Sequence, residues 1–157
     1  MNGAKGLIID LRNNGGGVVD EALEIADLFC NKGEVLLITS DKNENKEKRR
    51  GKVDPTIDLP VVILTNEGTA SASEILAAAL RDNGKATIVG EKTFGKGVIQ
   101  ELIYLSNGGA LKVTFAEYYT PKENKINKVG ITPDNEITDD EAKIVTAIDI
   151  LKKQINL

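Results

Sequence analysis

The first residues that could do covalent chemistry are serines at the start of an alanine-rich segment. The segment Thr69-Ala70-Ser71-Ala72-Ser73-Glu74 follows an apolar run and precedes a helical pattern. A serine there would lie beside helix-end N–H groups, which favour developing negative charge. The same residues also suit a structural role, because Ser71 and Glu74 have the spacing of a capping box worth about 1 kcal/mol. Taken alone, the segment favours the cap.

A second group of residues changes that balance. The chain contains no histidine, so a serine nucleophile would need another base, and lysine is the obvious one. A lysine acts as a base only when neutral, which requires burial to lower its pKa from about 10.4. Lys96 lies between Gly95 and Gly97 and precedes apolar Val98. We therefore expect Lys96 to be partly buried and Ser71 to be its partner.

A glycine-rich turn supplies a possible anion site. Asn13-Asn14-Gly15-Gly16-Gly17 lies between an apolar run and a helical pattern. Its glycines allow a sharp turn that exposes N–H groups at a helix N-terminus. The spacing is not that of a dinucleotide fingerprint, G-x-G-x-x-G. The alternative is an ordinary tight strand-to-helix turn.

The segment Gly90–Gly97 (GEKTFGKG) resembles a nucleotide-binding P-loop. That motif ends in a hydroxyl residue that binds magnesium, and here Gly97 takes its place. The following residues, VIQELIYL, have a strand pattern, whereas a P-loop begins a helix. Nucleotide binding is therefore the weakest of the alternatives.

Composition excludes several classes of function. The chain has 157 residues, a formal net charge of −4, 41% hydrophobic residues and a single cysteine, Cys30. The single cysteine excludes a disulfide framework and a multi-cysteine metal site. The absence of histidine excludes the usual histidine ligands of zinc and iron and a Ser-His-Asp triad. An acidic chain also suits nucleic acid poorly, and no apolar run approaches the roughly 18 residues of a membrane span. We expect no metal and no cofactor.

The remaining pattern predicts one α/β domain over residues 1–157. Buried strands are expected in four apolar runs, with helices between them; the runs are Gly6–Leu11, Val35–Thr39, Leu59–Thr65 and Ala86–Val89. Because strands alternate with helices, we expect a largely parallel sheet in the order β-α-β-β-α-β.

Three further features complete the predicted fold. Asn107-Gly108-Gly109 between two alternating runs predicts a hairpin. A final helix is expected from Thr138, with Thr138 and Glu141 as a capping box and a face formed by Ile144, Ile148, Leu151 and Ile155. The charged stretch Asp41–Asp58 is predicted to be a solvated, mobile loop.

At these motifs the sequence resembles a known family. Five segments are similar, in order, to the catalytic core of the carboxyl-terminal processing (tail-specific) proteases: KGLIIDLRNNGGG, LTNEGTASASEILAAALRDNG, IVGEKTFGKGVIQ, LKVTFAEYYTP and VGITPD. They extend from Lys5 to about Asp134. Gly15 departs from the family pattern, which commonly has proline there.

The resemblance implies a role for each matching residue. Ser71 matches the nucleophile, Lys96 its general base and Gln100 the residue that holds the lysine by hydrogen bonding. Further matches are the oxyanion-hole residues Gly16, Gly17 and Ala72 and the supporting acids Glu74 and Asp82. Ser73 is expected to point away from the substrate.

The resemblance also implies the setting of this core. The fold would be a ClpP/crotonase-like ββα superhelix, and the reaction would be endopeptidase cleavage near protein C-termini through an acyl-enzyme, without a cofactor. The substrate would bind as an extended C-terminal segment. Family members carry an N-terminal part and a PDZ domain that this chain lacks, and they act in the periplasm or at the cell surface, associated with the membrane.

Two alternatives remain. The chain could be a non-catalytic module that holds an extended peptide by strand addition, or a protease core that is inactive in isolation. An open sheet edge could also allow homo-oligomers or strand exchange.

Overall fold

The computed structural model describes residues 3–155, apart from the side chain of Glu101. Eleven elements follow in chain order: β1 Leu7–Asp10, α1 Val19–Asp27, β2 Val35–Asp41, β3 Lys46–Arg50, β4 Val61–Thr65, α2 Ala72–Asp82, β5 Ala86–Gly90, β6 Val98–Tyr104, β7 Ala110–Tyr119, β8 Asn135–Glu136 and α3 Asp140–Gln154. The α/β class, the four predicted strands, the hairpin and the three helices are confirmed.

A parallel sheet of order β1-β4-β5-β8 forms the centre of the domain. All five residues of β4 are buried, because helices cover both faces of the sheet. Val61 and Ile63 pack with residues of α1 and α2, whereas Val62 and Leu64 pack with Ala147 and Leu151 of α3. Successive strand residues point to opposite faces, so this uninterrupted apolar run is what a doubly covered strand requires.

A second sheet, of order β3-β2-β7-β6, is antiparallel. The β6–β7 hairpin turns at Asn107 and Gly108, as predicted, and its register shifts between Ile99 and Gln100. The prediction that β2 would join the parallel sheet is wrong, since β2 pairs antiparallel with β7 and β3. An apolar run specifies burial, and here the burial comes from α1 and α2 packing on a different sheet.

The charged stretch Asp41–Asp58 is not simply a mobile loop, because it contains strand β3. Asp41 begins the turn, since its carboxylate accepts hydrogen bonds from the backbone N–H groups of Asn43 and Asn45. Every residue of β3 is exposed, so the strand has no apolar pattern. Ion pairs, among them Lys46 with Glu123 and Arg49 with Asp20, tie it to neighbouring elements.

The final helix differs from the prediction in its cap and in its face. Its N-cap is Asp139, not Thr138, and Asp139 Oδ1 accepts a hydrogen bond from Ala142 N at 2.8 Å. Ile144 and Ile148 are 40% and 39% exposed. Leu151 is buried as predicted, and the rest of the buried face consists of Ala147 and Lys143. Small Ala147 allows close approach to the sheet, and the Lys143 ammonium is paired with Glu91 and Asp140.

Candidate active site

The turn between β4 and α2 places Ser71 in an unusual conformation. Its φ of 58° and ψ of −121° match the first central residue of a type II′ turn, a position that normally holds glycine. Ser71 is half-buried and is the N-cap residue of α2. Strained residues of this kind cluster at functional sites. The turn therefore holds a serine, at a cost, where a glycine would fit more easily.

Ser73, the other serine of the motif, points elsewhere. Its hydroxyl donates a hydrogen bond to Asn14 Oδ1 at 3.0 Å, and the residue is only 5% exposed. Ser73 therefore joins α2 to the glycine-rich turn, and Ser71 is the more accessible of the two serines.

The glycine-rich turn lies directly against Ser71. Gly16 has a φ of +87°, and a Cβ built on it would lie 2.5 Å from Ala70 O and 2.7 Å from Ala72 N. Asn14 holds this contact, because its carbonyl accepts from Ala70 N and its side-chain oxygen accepts from Gly16 N, both at 3.0 Å. Only glycine fits so close to the turn at residues 69–72, which is called the nucleophile turn here for the role predicted for Ser71.

Two N–H groups at this junction have no hydrogen-bond acceptor within the described residues. Within residues 3–155, neither Gly17 N nor Ala72 N donates a hydrogen bond to another protein atom. The N–H of Gly16 is instead occupied by Asn14 Oδ1. Of the two predicted glycines, Gly16 provides the close approach and Gly17 the available donor.

A buried carboxylate connects the nucleophile turn to the lysine loop, residues 91–97. Glu74 is 0% exposed. Its Oε2 accepts from Ser71 N and from Lys96 N, both at 2.9 Å. Its Oε1 accepts from Thr93 Oγ1 and from Gly95 N. Since Ser71 N and Lys96 N share one acceptor atom, they lie within about 6 Å of each other.

Other contacts fix the lysine loop in place. Phe94 N donates to Thr69 O at 2.9 Å, two residues before Ser71, and Lys128 N donates to Gly95 O at 2.8 Å. A Cβ on Gly97 would lie 2.3 Å from Asn127 N. The backbone that carries Lys96 is therefore held between the nucleophile turn and the turn at residues 126–130.

The side chains of Lys96 and Gln100 are not engaged at the site. Both residues are exposed, and Gln100 Nε2 donates to Thr114 Oγ1 at 3.1 Å. Among the described residues, no hydrogen bond joins Lys96 Nζ to Ser71 or Gln100. The expectation of a partly buried Lys96 is wrong: its side chain is exposed, although Gly95 and Gly97 on either side of it are buried.

Asp82 lies at the opposite end of α2 from Ser71, about 16 Å away at 1.5 Å per residue. Its carboxylate accepts from the Arg81 guanidinium and from Lys122 N. Its side chain is 1% exposed, so it anchors the turn after β7. Of the two predicted supporting acids, the structure brings only Glu74 to Ser71 and Lys96.

Other chemistries find little support in the described part of the chain. Cys30 is fully buried, and burial raises the pKa of its thiol to about 11, so it is not a nucleophile at neutral pH. The segment Gly90–Gly97 leads into strand β6 and not into a helix, which removes the phosphate-binding helix end of a P-loop. Residues 3–155 contain no cluster of three or more potential metal ligands, and none of their helices is long and apolar enough to cross a membrane.

Sequence reasoning missed two residues of this site, Asn14 and Thr93. Both lie inside quoted motifs, but neither carries chemistry of its own. The available signal was position. Asn14 and Thr93 follow the carboxyl ends of the parallel strands β1 and β5, and Ser71 follows the carboxyl end of β4 on the same side of the sheet.

The chain is similar to a group of known peptidases. The model of peptidase family S41 matches residues 1–137. The carboxyl-terminal-processing protease of Synechocystis sp. is 48% identical over 132 residues, covering 84% of this chain and 31% of that protein. A carboxy-terminal processing protease of Bacillus subtilis is 40% identical over 131 residues, covering 83% and 28%.

A solved structure is similar as well. The photosystem II D1 C-terminal processing protease superposes with a TM-score of 0.78 and 40% identity, covering 87% of this chain and 36% of that one. The chain thus spans about a third of the length of the curated relatives it matches.

Proposed function

Because the chain belongs to peptidase family S41, we propose that it is the catalytic core of a serine endopeptidase that cleaves proteins near their C-termini. The observation that carries the proposal is the shared carboxylate of Glu74, which binds the backbone N–H groups of both Ser71 and Lys96. The backbone segments that carry the proposed nucleophile and the proposed base, which are distant in the sequence, are thereby held with their N–H groups within about 6 Å of each other.

The proposed reaction passes through an acyl-enzyme. Neutral Lys96 takes the proton of the Ser71 hydroxyl, and Ser71 Oγ attacks the scissile carbonyl. The N–H groups of Ala72 and Gly17 stabilise the resulting oxyanion, each contributing about 3–4 kcal/mol by comparison with measured oxyanion holes. Lys96 then donates its proton to the leaving amine, and water hydrolyses the ester with Lys96 again as base.

The exposed lysine side chain must turn inward before this chemistry begins. Its backbone is already in place, so the change involves the Lys96 side chain and the Gln100 amide, which leaves Thr114 to hold the lysine. Catalytic hydrogen bonds are often long or absent without substrate. An extended substrate over the site would also exclude water and favour the neutral amine.

Covalent labelling tests the proposal. A fluorophosphonate should modify the wild-type chain once, at Ser71, as measured by intact mass and peptide mapping. Ser71→Ala and Lys96→Ala should abolish labelling, and so should Lys96→Arg, because a guanidinium does not act as a base. Ser73→Ala is the matched control and should still be labelled. Labelling that persists in Lys96→Ala would refute the dyad.

The second candidate function is a non-catalytic module that binds extended peptides. The exposed Lys96 and the unpaired outer edge of β6 favour it, since an edge strand accepts a peptide by strand addition. A folded wild-type chain that binds C-terminal peptides but does not react with the fluorophosphonate would support this function instead.

The wider setting of the chain is part of the proposal. We infer one domain over residues 1–157, acting within a longer protein in the periplasm or at the cell surface, with membrane association in that protein. The substrates are polypeptides bound as extended C-terminal segments, and neither nucleic acid nor nucleotide is a partner. The open edge of β6 supports homo-oligomers or strand exchange.

A further inference from the structure

We propose that Thr93 is a positioning residue, whose hydroxyl holds the nucleophile turn and the lysine loop in their mutual geometry. The proposal rests on the proposed function, in which Ser71 and Lys96 act together. Thr93 itself touches neither reacting group and acts through Glu74.

The Thr93 hydroxyl uses its hydrogen-bonding capacity in two directions. Its Oγ1 donates to Glu74 Oε1 and accepts from Ile131 N at 2.7 Å. The backbone N–H of Thr93 donates to Ile131 O at 3.1 Å. Thr93 is 5% exposed, so water is poorly placed to replace these bonds. The hydroxyl therefore links the helix of the nucleophile to the segment after the turn at residues 126–130.

This link determines where the carboxylate of Glu74 lies. Glu74 has no exposed surface, and a buried carboxylate requires donors on both oxygens. Thr93 Oγ1 and Gly95 N serve Oε1, while Ser71 N and Lys96 N serve Oε2. If the hydroxyl is removed, Oε1 keeps one donor and the carboxylate can rotate, which moves the acceptor shared by Ser71 and Lys96.

Thr93 packs closely against Gly130, so a substitution that tests its hydroxyl must keep the shape of the side chain. A Cβ on Gly130 would lie 2.3 Å from Thr93 O and 3.3 Å from Thr93 Oγ1, so the two segments touch without spare room. Valine matches threonine in shape but has no hydroxyl, and serine keeps the hydroxyl without the methyl group. The pair Thr93→Val and Thr93→Ser thus separates hydrogen bonding from packing.

The test compares the wild-type chain, Thr93→Val, Thr93→Ser and the control Thr120→Val. Thr120 is also buried, but its hydroxyl accepts from Asn124 N in a different turn. We expect Thr93→Val to lower the rate of fluorophosphonate labelling at Ser71 by about tenfold to a hundredfold. Thr93→Ser should keep the wild-type rate. Thr120→Val should lower the melting temperature without changing the rate for the folded protein.

Amide exchange provides a readout that does not depend on activity. In Thr93→Val the amides of Gly95 and Lys96 should exchange faster than in the wild type, measured by NMR, and in Thr93→Ser they should not. If the wild type does not label, the proposed function fails, and these exchange rates alone decide the role of Thr93. Unchanged exchange in Thr93→Val overturns the inference, as does wild-type labelling by that variant. Where Thr93→Val does not fold, loss of labelling or protection in Thr93→Ser overturns it.

Discussion

Ser71, the proposed nucleophile, has a backbone conformation that suits glycine. The conformation costs of the order of 1–3 kcal/mol for a residue with a side chain. The hydrogen bond that Ser71 N donates to Glu74 Oε2 and the close packing of Gly16 against the turn maintain it. The fold therefore loses stability at the residue for which we propose the role of nucleophile.

Replacement of Ser71 by glycine should stabilise the fold relative to replacement by alanine. Both variants lose the hydroxyl, but glycine adopts a φ of 58° without strain. We expect Ser71→Gly to exceed Ser71→Ala by about 1 kcal/mol in free energy of unfolding, measured by urea denaturation. Equal stabilities would mean that the turn is not strained in solution.

Gly16 should be far less tolerant of substitution than its neighbour Gly15. A methyl group on Gly16 would collide with Ala70 O and Ala72 N, whereas one on Gly15 meets nothing within 4 Å. Gly16→Ala should reduce labelling at Ser71 by about a hundredfold or more, as loss of an oxyanion donor does. Gly15→Ala is the control and should label normally; similar losses in both would contradict the close approach.

Residue types identified the parts of the site but not their connections. Ser71, Lys96 and the glycine turn stand out in the sequence because their chemistry is specific. The role of Glu74 as a shared acceptor and the contributions of Asn14 and Thr93 depend on which loops meet in space, which no local pattern encodes. The exposure of Lys96 was also unpredictable, since it depends on what covers a loop.

At the scale of elements, the strongest predictions came from uninterrupted apolar runs and from the hairpin turn at Asn107. Strand β3 was missed because a fully exposed edge strand has no hydrophobic period, and β8, with two residues, is too short to give one. The apolar run of β2 was assigned to the wrong sheet because burial does not specify the partner.

The cap of α3 is a test of the corrected boundary. Asp139 accepts the bond from Ala142 N, so Asp139→Ala should lower the free energy of unfolding by about 1 kcal/mol, measured by thermal or urea denaturation. Thr138→Ala, at the position that the sequence pattern favoured, should have little effect. A larger loss of stability in Thr138→Ala than in Asp139→Ala would support the predicted cap at Thr138 instead.

An ionic cluster ties α3 to the ends of β1 and β5. Burial opposes the charge of Lys143, but hydrogen bonds to Glu91 and Asp140 outweigh it and raise its pKa. The hydrogen bond from Arg12 lowers the pKa of Asp10. Hydrogen bonds from Lys143 and Arg12 likewise lower that of Asp140. Ion pairs with α3 thus connect the end of β1, which precedes the glycine turn, to the end of β5, which precedes the lysine loop.

These shifts predict acid sensitivity. A carboxylate with a lowered pKa in the folded state contributes stability above its unfolded pKa, about 3.9, and this contribution is lost as the pH falls further. Stability should therefore decline below about pH 4. Asp10→Asn should flatten that decline in denaturation measured from pH 6 to pH 2. Asp149→Asn, at an exposed position on α3, should leave it unchanged.

At the scale of the whole molecule, the β6–β7 hairpin presents an exposed apolar surface. Several of its large apolar residues are substantially exposed, namely Leu102, Ile103, Tyr104, Leu111 and Phe115. Strand β6 also forms the edge of its sheet. An edge with apolar side chains invites pairing with another strand.

The chain should therefore associate with itself as its concentration rises, as measured by sedimentation velocity. Leu102→Lys, on the edge strand, should shift the equilibrium toward the monomer. Val145→Lys is the matched control, because Val145 on α3 is 56% exposed against 52% for Leu102. A chain that stays monomeric at every concentration, or equal effects of both variants, would exclude the edge as the interface.

The anchored backbone amide of Lys96 determines how fast its side chain can reach Ser71. With the main chain fixed by Glu74, the remaining freedom of Lys96 is confined to its side-chain torsions. Rotamer changes of exposed side chains take picoseconds to nanoseconds, whereas loop rearrangements are slower. Completion of the proposed dyad is thus a change of side-chain rotamer that breaks no backbone hydrogen bond, and we expect that it does not limit the rate of the proposed reaction.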